Sequence, residues 1–197
     1  RIVFCQAEVT GRTLGEPAAD ILAGNLLDYI RSAKPAEFRT FAAVGGKKFR
    51  DWLSKLHLNG AAETLHDADV IVAGPGAAQY PDLTEQVRNG KKVVAVGLSA
   101  VELARLLPGV NAKQVVAGTS QLADLSAPEL NGISNLDTFF QHRLNYTAVD
   151  GKEVAVVRIG KGSAVILGVA PWMLDYNELF RLRSSFRRRA FLVSQVL

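Results

Sequence analysis

The sequence predicts an α/β fold: a mainly parallel sheet with helices on both faces, finished by a β-hairpin and a long C-terminal helix. Three observations lead there. Residues 69–73 and 93–97 are short, continuous apolar runs, the pattern of strands buried on both faces. Segments with apolar residues at helical spacing alternate with them. The composition, 48% hydrophobic and 21% charged over 197 residues, is globular, and a chain of this length buries a core without a metal or cross-link.

The elements follow in order. Residues 2–5 form a short apolar strand. Pro17 opens a helix with Glu16 and Asp20 at its positive end, and Leu22, Leu26, Tyr29 and Ile30 carry its apolar face. Lys34-Pro35 breaks it, and residues 38–44 form a strand that stops at Gly45-Gly46. Phe49, Leu53 and Leu56 mark a second helix, with Trp52 beside the stripe. The strand at 69–73 runs into Gly74-Pro75-Gly76, and a helix over 81–88 ends at Asn89-Gly90. The strand at 93–97 leads to a helix begun by Ser99 and ended by Pro108-Gly109. Residues 110–140 are expected to be loops with short elements, and 139–143 a packed loop around a hydrogen-bonded His142. Residues 154–159 and 164–169 flank Gly160-Lys161-Gly162 as a β-hairpin. Residues 176–197 are expected to be one helix, with Leu179, Leu182, Phe186, Ala190, Val193 and Leu197 buried.

Strand, loop and helix at 2–30 echo strand, loop and helix at 165–197. Either this is the ordinary recurrence of α/β units, or residues 1–33 close a preceding related domain and 34–197 form the main one. Arg1 in place of Met, and no stop signal before Leu197, are expected of a segment of a longer chain.

Composition narrows function less. A net charge of +4 is too small to imply nucleic acid. No apolar stretch approaches the roughly 20 residues of a membrane span. A single cysteine, Cys5, allows no internal disulfide and is expected to be a small apolar strand residue. His57, His66 and His142 lack partners at metal-ligand spacing, so no metal and no cofactor is expected. Gly74-Pro75-Gly76 lacks the Lys-Ser/Thr of a phosphate loop.

In open α/β sheets, function sits at the carboxyl ends of the strands. Three loops fall there: Gly74-Pro75-Gly76, Gly97-Leu98-Ser99-Ala100-Val101 and Ala170-Pro171-Trp172. Their order over residues 38–175 resembles the class I glutamine amidotransferase-like, flavodoxin-like fold. The resemblance implies an oxyanion loop at Gly76, a nucleophile elbow with Ser99 in place of cysteine and no second glycine, and a general base and orienting carboxylate where Ala170 and Trp172 stand. A hydroxyl needs an adjacent base and the base needs an orienting group, so the resemblance implies a domain without the triad. Arg1 to Gln6, Val9 to Arg12, Gly132 to Asn135 and Phe186 to Arg189 further resemble segments of large bacterial glycoside hydrolases of the β-galactosidase type, which carry such domains as accessories. That implies a non-catalytic accessory or assembly role, contacts with neighbouring domains or a second copy, and a periplasmic or secreted parent; otherwise a cytoplasmic one is expected.

Two alternatives stand beside it. One is a hydrolase or amidotransferase using Ser99, with Gly76 at the oxyanion. The other is a sugar- or protein-binding module using Phe140, His142 and Trp172. Asp124, Glu129, Asp137 and Asp175 have no spacing that enforces a glycosidase carboxylate pair and are expected to be surface acids. Arg181, Arg183, Arg187, Arg188 and Arg189 are expected to form a solvated helix face or to meet a neighbouring domain.

Overall fold

A computed structural model of the chain describes residues 16–32, 40–58, 62, 64–120, 123, 125–177 and 179–197. The chain divides into two compact units, Arg1–Phe38 and Arg39–Leu197. In the first, α1 (Pro17–Ser32) is an amphipathic helix with Asp20 in its first turn and Arg31 in its last, both favourable to the helix dipole. The strand expected at 2–5, with Cys5, lies outside the described residues.

The second unit is α/β. Its elements are β1 (Phe41–Val44), α2 (Lys47–Lys55), β2 (Val70–Ala73), α3 (Asp82–Arg88), β3 (Lys92–Val96), α4 (Ala100–Leu106), β4 (Ala112–Thr119), β5 (Gln141–Val149), β6 (Val154–Ile159), β7 (Gly162–Leu167) and α5 (Arg183–Val196). The main sheet has the order β1-β2-β3-β7-β6. The first four strands are parallel, and β6 pairs antiparallel with β7 through the hairpin at Gly160.

Alternation along the strands divides the core. Ile71, Ala73, Val93, Ala95, Ala164 and Ile166 pack under Leu83 and Val87 of α3 and Leu103 and Leu106 of α4. Val70, Val72, Val94, Val96, Val165 and Leu167 pack under Phe49 and Leu53 of α2 and Leu192, Val193 and Val196 of α5. Every residue of β2 and β7 is buried, which is why these strands read as unbroken apolar runs.

Three expectations need correction. Residues 112–119 and 141–143 are not loops: they belong to β4 and β5, a separate two-stranded antiparallel sheet with a register shift between Ala117 and Thr119. Leu144, Tyr146 and Ala148 alternate inward to a third cluster with Phe140, Val169, Leu174 and Leu182. The last helix begins at Arg183, after a single 3₁₀ turn over Phe180–Leu182. Its buried side follows the expected stripe in part: Leu182 and Val193 are buried and Phe186, Ala190 and Leu197 half-buried, but Leu179 is exposed and Ser185, Arg189, Leu192 and Val196 also face inward.

Candidate functional site

Because β1, β2, β3 and β7 are parallel, their carboxyl ends gather Gly45-Gly46, Gly74-Pro75-Gly76, Gly97-Leu98-Ser99 and the segment through Trp172 along one edge. The loops after β1 and β2 are stitched together: the Gly46 N–H donates to the Pro75 carbonyl (2.7 Å) and the Gly74 N–H to the Val44 carbonyl (2.9 Å). The Arg50 guanidinium donates to the Gly45 carbonyl at 2.8 Å, tying α2 to the same loop.

The glycines at these strand ends seat aromatic rings. A Cβ on Gly74 would lie 2.3 Å from the Phe49 ring, and one on Gly97 would lie 2.9 Å from Cζ2 of Trp172 and 2.7 Å from the Ala170 Cβ. Gly97 also has φ +63°, a conformation that favours glycine. Trp172 meets Phe49 edge-on at 5.8 Å and Trp52 at 5.0 Å with the rings at 71°. Beside this corner is a recess of about 500 Å³, lined by Lys47, Lys48, Phe49 and Trp52 of α2, by Pro75 and by Trp172. The Trp52 Nε1–H is buried without a hydrogen-bond acceptor.

Ser99 and Gly76, the sequence candidates for nucleophile and oxyanion donor, are linked through a residue the motif reading passed over, Glu102. Ser99 is the N-cap of α4 in a reciprocal capping box. The Glu102 N–H donates to Ser99 Oγ (3.3 Å), and the Ser99 N–H and hydroxyl donate to Glu102 Oε2 (3.0 and 2.8 Å). The other carboxylate oxygen accepts from the Gly76 N–H at 2.7 Å. Burial alone would raise the Glu102 carboxyl. The Gly76 and Ser99 N–H groups, the Ser99 hydroxyl and Arg105 outweigh it and hold the carboxyl below its ordinary value. A carboxylate held low is a weak base. The S-x-x-E spacing was a signal available in the sequence.

No protein-family model, no curated protein and no solved structure matches the chain.

The other candidates separate. Phe140 is fully buried. It lies edge-on to Tyr146 at 6.1 Å and beneath the Arg189 guanidinium at 5.4 Å, so it offers no face to a sugar. His142 lies on β5, half-buried, rather than in a loop. Trp172 packs with a different core cluster from Phe140 and lines the recess beside Trp52. Of the candidate acids, Glu129 pairs with Arg158 at 2.5 Å. Asp137 accepts from Ser134, and Asp175 from the Asn177 N–H. Asp124 lies outside the described residues. The arginine cluster also divides: Arg181, Arg183 and Arg187 are exposed, Arg188 stacks 5.7 Å from the Phe139 ring centroid, and Arg189 is buried. Among the described residues no cluster of His, Cys, Asp or Glu has the makings of a metal site. Among them, too, no helix is long and apolar enough to cross a membrane.

Proposed function

We propose that this chain is a class I glutamine amidotransferase-like α/β domain without its own reaction, serving as an accessory or assembly domain of a carbohydrate-active parent. The observation that carries the non-catalytic part is the Glu102 carboxylate on the Gly76 N–H. An oxyanion hole works by presenting donors to charge that develops in the transition state. Here the donor at the corresponding loop already holds a full negative charge, and an approaching oxyanion would be repelled by it. Ser99 is engaged by the same carboxylate, and Ala170 and Trp172 stand where the resemblance implies base and orienting group.

The carbohydrate-active parent rests on the four resembling segments. Two of them meet inside the domain: Arg189, at the end of one, donates to the carbonyl of Thr138, three residues beyond the end of the other. Phe180 and Phe191 stand exposed beside Arg183 and Arg187, an apolar and basic surface suited to a neighbouring domain or a second copy.

The test is turnover by the purified chain. Ammonia release from L-glutamine and phenolate release from aryl esters are expected to equal the buffer rate, for both the natural sequence and Ser99→Ala. A rate that the natural sequence shows and Ser99→Ala abolishes would overturn the proposal in favour of the Ser99 hydrolase.

A further inference from the structure

We infer that the recess beside Trp52 and Trp172 is a binding site for a small aromatic carboxylate. Its volume of about 500 Å³ falls within the roughly 300–1,000 Å³ of small-molecule sites, and it lies at the strand carboxyl ends, where open α/β sheets bind ligands. Its walls are mainly carbon. The two indoles meet at 71°, so a flat ring entering the corner stacks on one and meets the other edge-on, both favourable aromatic geometries.

The charged side chains lining the recess are few and of one sign: they are Lys47 and Lys48. Lys47 is paired with Asp51 at 2.7 Å, whereas Lys48 has no ion-pair partner among the described residues. The first turn of α2 contains no acidic residue, and Asp51, one turn on, is taken up by Lys47, which leaves Lys48 as the cation for a bound anion. A flat apolar ring with a carboxylate answers all of these features together.

A neutral sugar answers fewer. A pyranose carries hydroxyls around its whole rim, and each one buried without a partner is penalised. The side chains of this recess offer ammonium groups and little else that is polar. The inference therefore stands apart from any carbohydrate role of a parent chain.

The experiment uses the purified chain, with 2-naphthoate, 2-naphthylmethanol and methyl β-galactoside titrated separately by calorimetry. Both tryptophans of the chain line the recess, so the two indole N–H signals in a proton–nitrogen spectrum report on it directly. Saturable binding of 2-naphthoate that shifts both signals is expected. Lys48→Ala should weaken it by about fivefold, and Trp172→Phe by about tenfold. 2-Naphthylmethanol should bind more weakly than the acid and be indifferent to Lys48→Ala. Absence of saturable naphthoate binding overturns the inference, as does an affinity that Lys48→Ala leaves unchanged. Binding of methyl β-galactoside in preference to naphthoate overturns it too, while leaving the accessory-domain reading intact.

Discussion

Arg189 and Glu153 meet with Nη2 2.5 Å from Oε1, where neither side chain reaches solvent. Arg189 comes from α5 and Glu153 is the residue just before β6. The same guanidinium donates to the Thr138 carbonyl and lies over Phe140, so one side chain ties the last helix to the loop before β5 and to the main sheet. Its Nε and Nη1 have no hydrogen-bond partner, which makes the pair costly to bury and costlier to break on one side. Burial pushes the Glu153 carboxyl up, and Arg189 only partly pulls it back.

Arg189→Met is therefore expected to lower stability by about 3–5 kcal/mol near neutral pH, because it leaves a buried carboxylate without its cation. The pH dependence has a definite sign. A carboxyl whose folded value is raised favours the fold below its ordinary value, and that contribution is lost as pH rises through the raised value. Without Arg189 the Glu153 value rises further, so the variant should lose less stability at pH 4 than at pH 8. Glu153→Gln should cost a comparable amount at neutral pH, since it leaves the buried guanidinium without its anion, and that cost should vary less with pH because the guanidinium keeps its proton. Urea unfolding of both variants at the two pH values checks all three statements. An equal cost for Arg189→Met at both pH values would contradict the coupling.

Glu102 behaves in the opposite sense. Its carboxyl is held below the ordinary value, so its contribution is present above that ordinary value and is lost as pH falls through the depressed one. Glu102→Gln should cost about 1 kcal/mol at pH 7, on the scale of a helix cap. The difference from the natural sequence should shrink once the pH falls below the depressed value. Ser99→Ala should cost a similar amount, about 1 kcal/mol. Thermal unfolding across pH reads both, and a difference that persists undiminished at the lowest pH would argue against the Gly76–Glu102–Ser99 linkage.

The parts of the fold legible in the sequence are those whose signal is local. β2, β3 and β7 announce themselves as apolar runs because both faces are covered. α3 and α4 carry their own stop signals at Asn89-Gly90 and Pro108-Gly109. β5 was equally readable, since Leu144, Tyr146 and Ala148 alternate with Arg143 and Asn145, but the polar and aromatic residues before it resemble a loop. β4 was harder: Val116 is 56% exposed and the strand has no fully buried residue. Arg189 was misplaced because charge density on a helix argues for solvent, and only the tertiary fold brings Glu153 beneath it. The recess was half-visible. Phe49, Trp52 and Trp172 could be named, but that they meet depends on three strand ends lying side by side. Glu102 was readable as a cap, not as the acceptor of the Gly76 N–H, because that contact joins two different loops.

The glycines under the aromatic rings give a prediction of their own. Gly97→Ala places a methyl into the Trp172 ring and the Ala170 side chain at a backbone conformation unfavourable to alanine. Its cost should be about 2–4 kcal/mol. Gly109→Ala is the control: that glycine also has positive φ, +93°, but a Cβ there meets nothing within 4 Å, so only the conformational part, about 1 kcal/mol, should be lost. Chemical denaturation of the two variants separates collision from backbone strain. Equal losses would mean that Trp172 does not rest on Gly97.

Phe140 and His142 stand two residues apart and should respond very differently. Phe140 is enclosed by Tyr146 and the Arg189 guanidinium, so Phe140→Ala empties a fully buried site and should cost about 3–5 kcal/mol. It should also loosen the Arg189 side chain, since the cation loses the ring it lies over. His142 is half-buried on β5, and no hydrogen bond to it is found among the described residues, so His142→Ala should change stability by less than about 1 kcal/mol. Neither residue lines the Trp172 recess, so a folded His142→Ala protein should bind there as the natural sequence does. Pairing Phe140→Leu with Arg189→Met tests the link between ring and cation: residues in contact give non-additive losses. The double variant should therefore lose less than the two single losses combined. Strict additivity would show that Phe140 and Arg189 stabilise the domain independently.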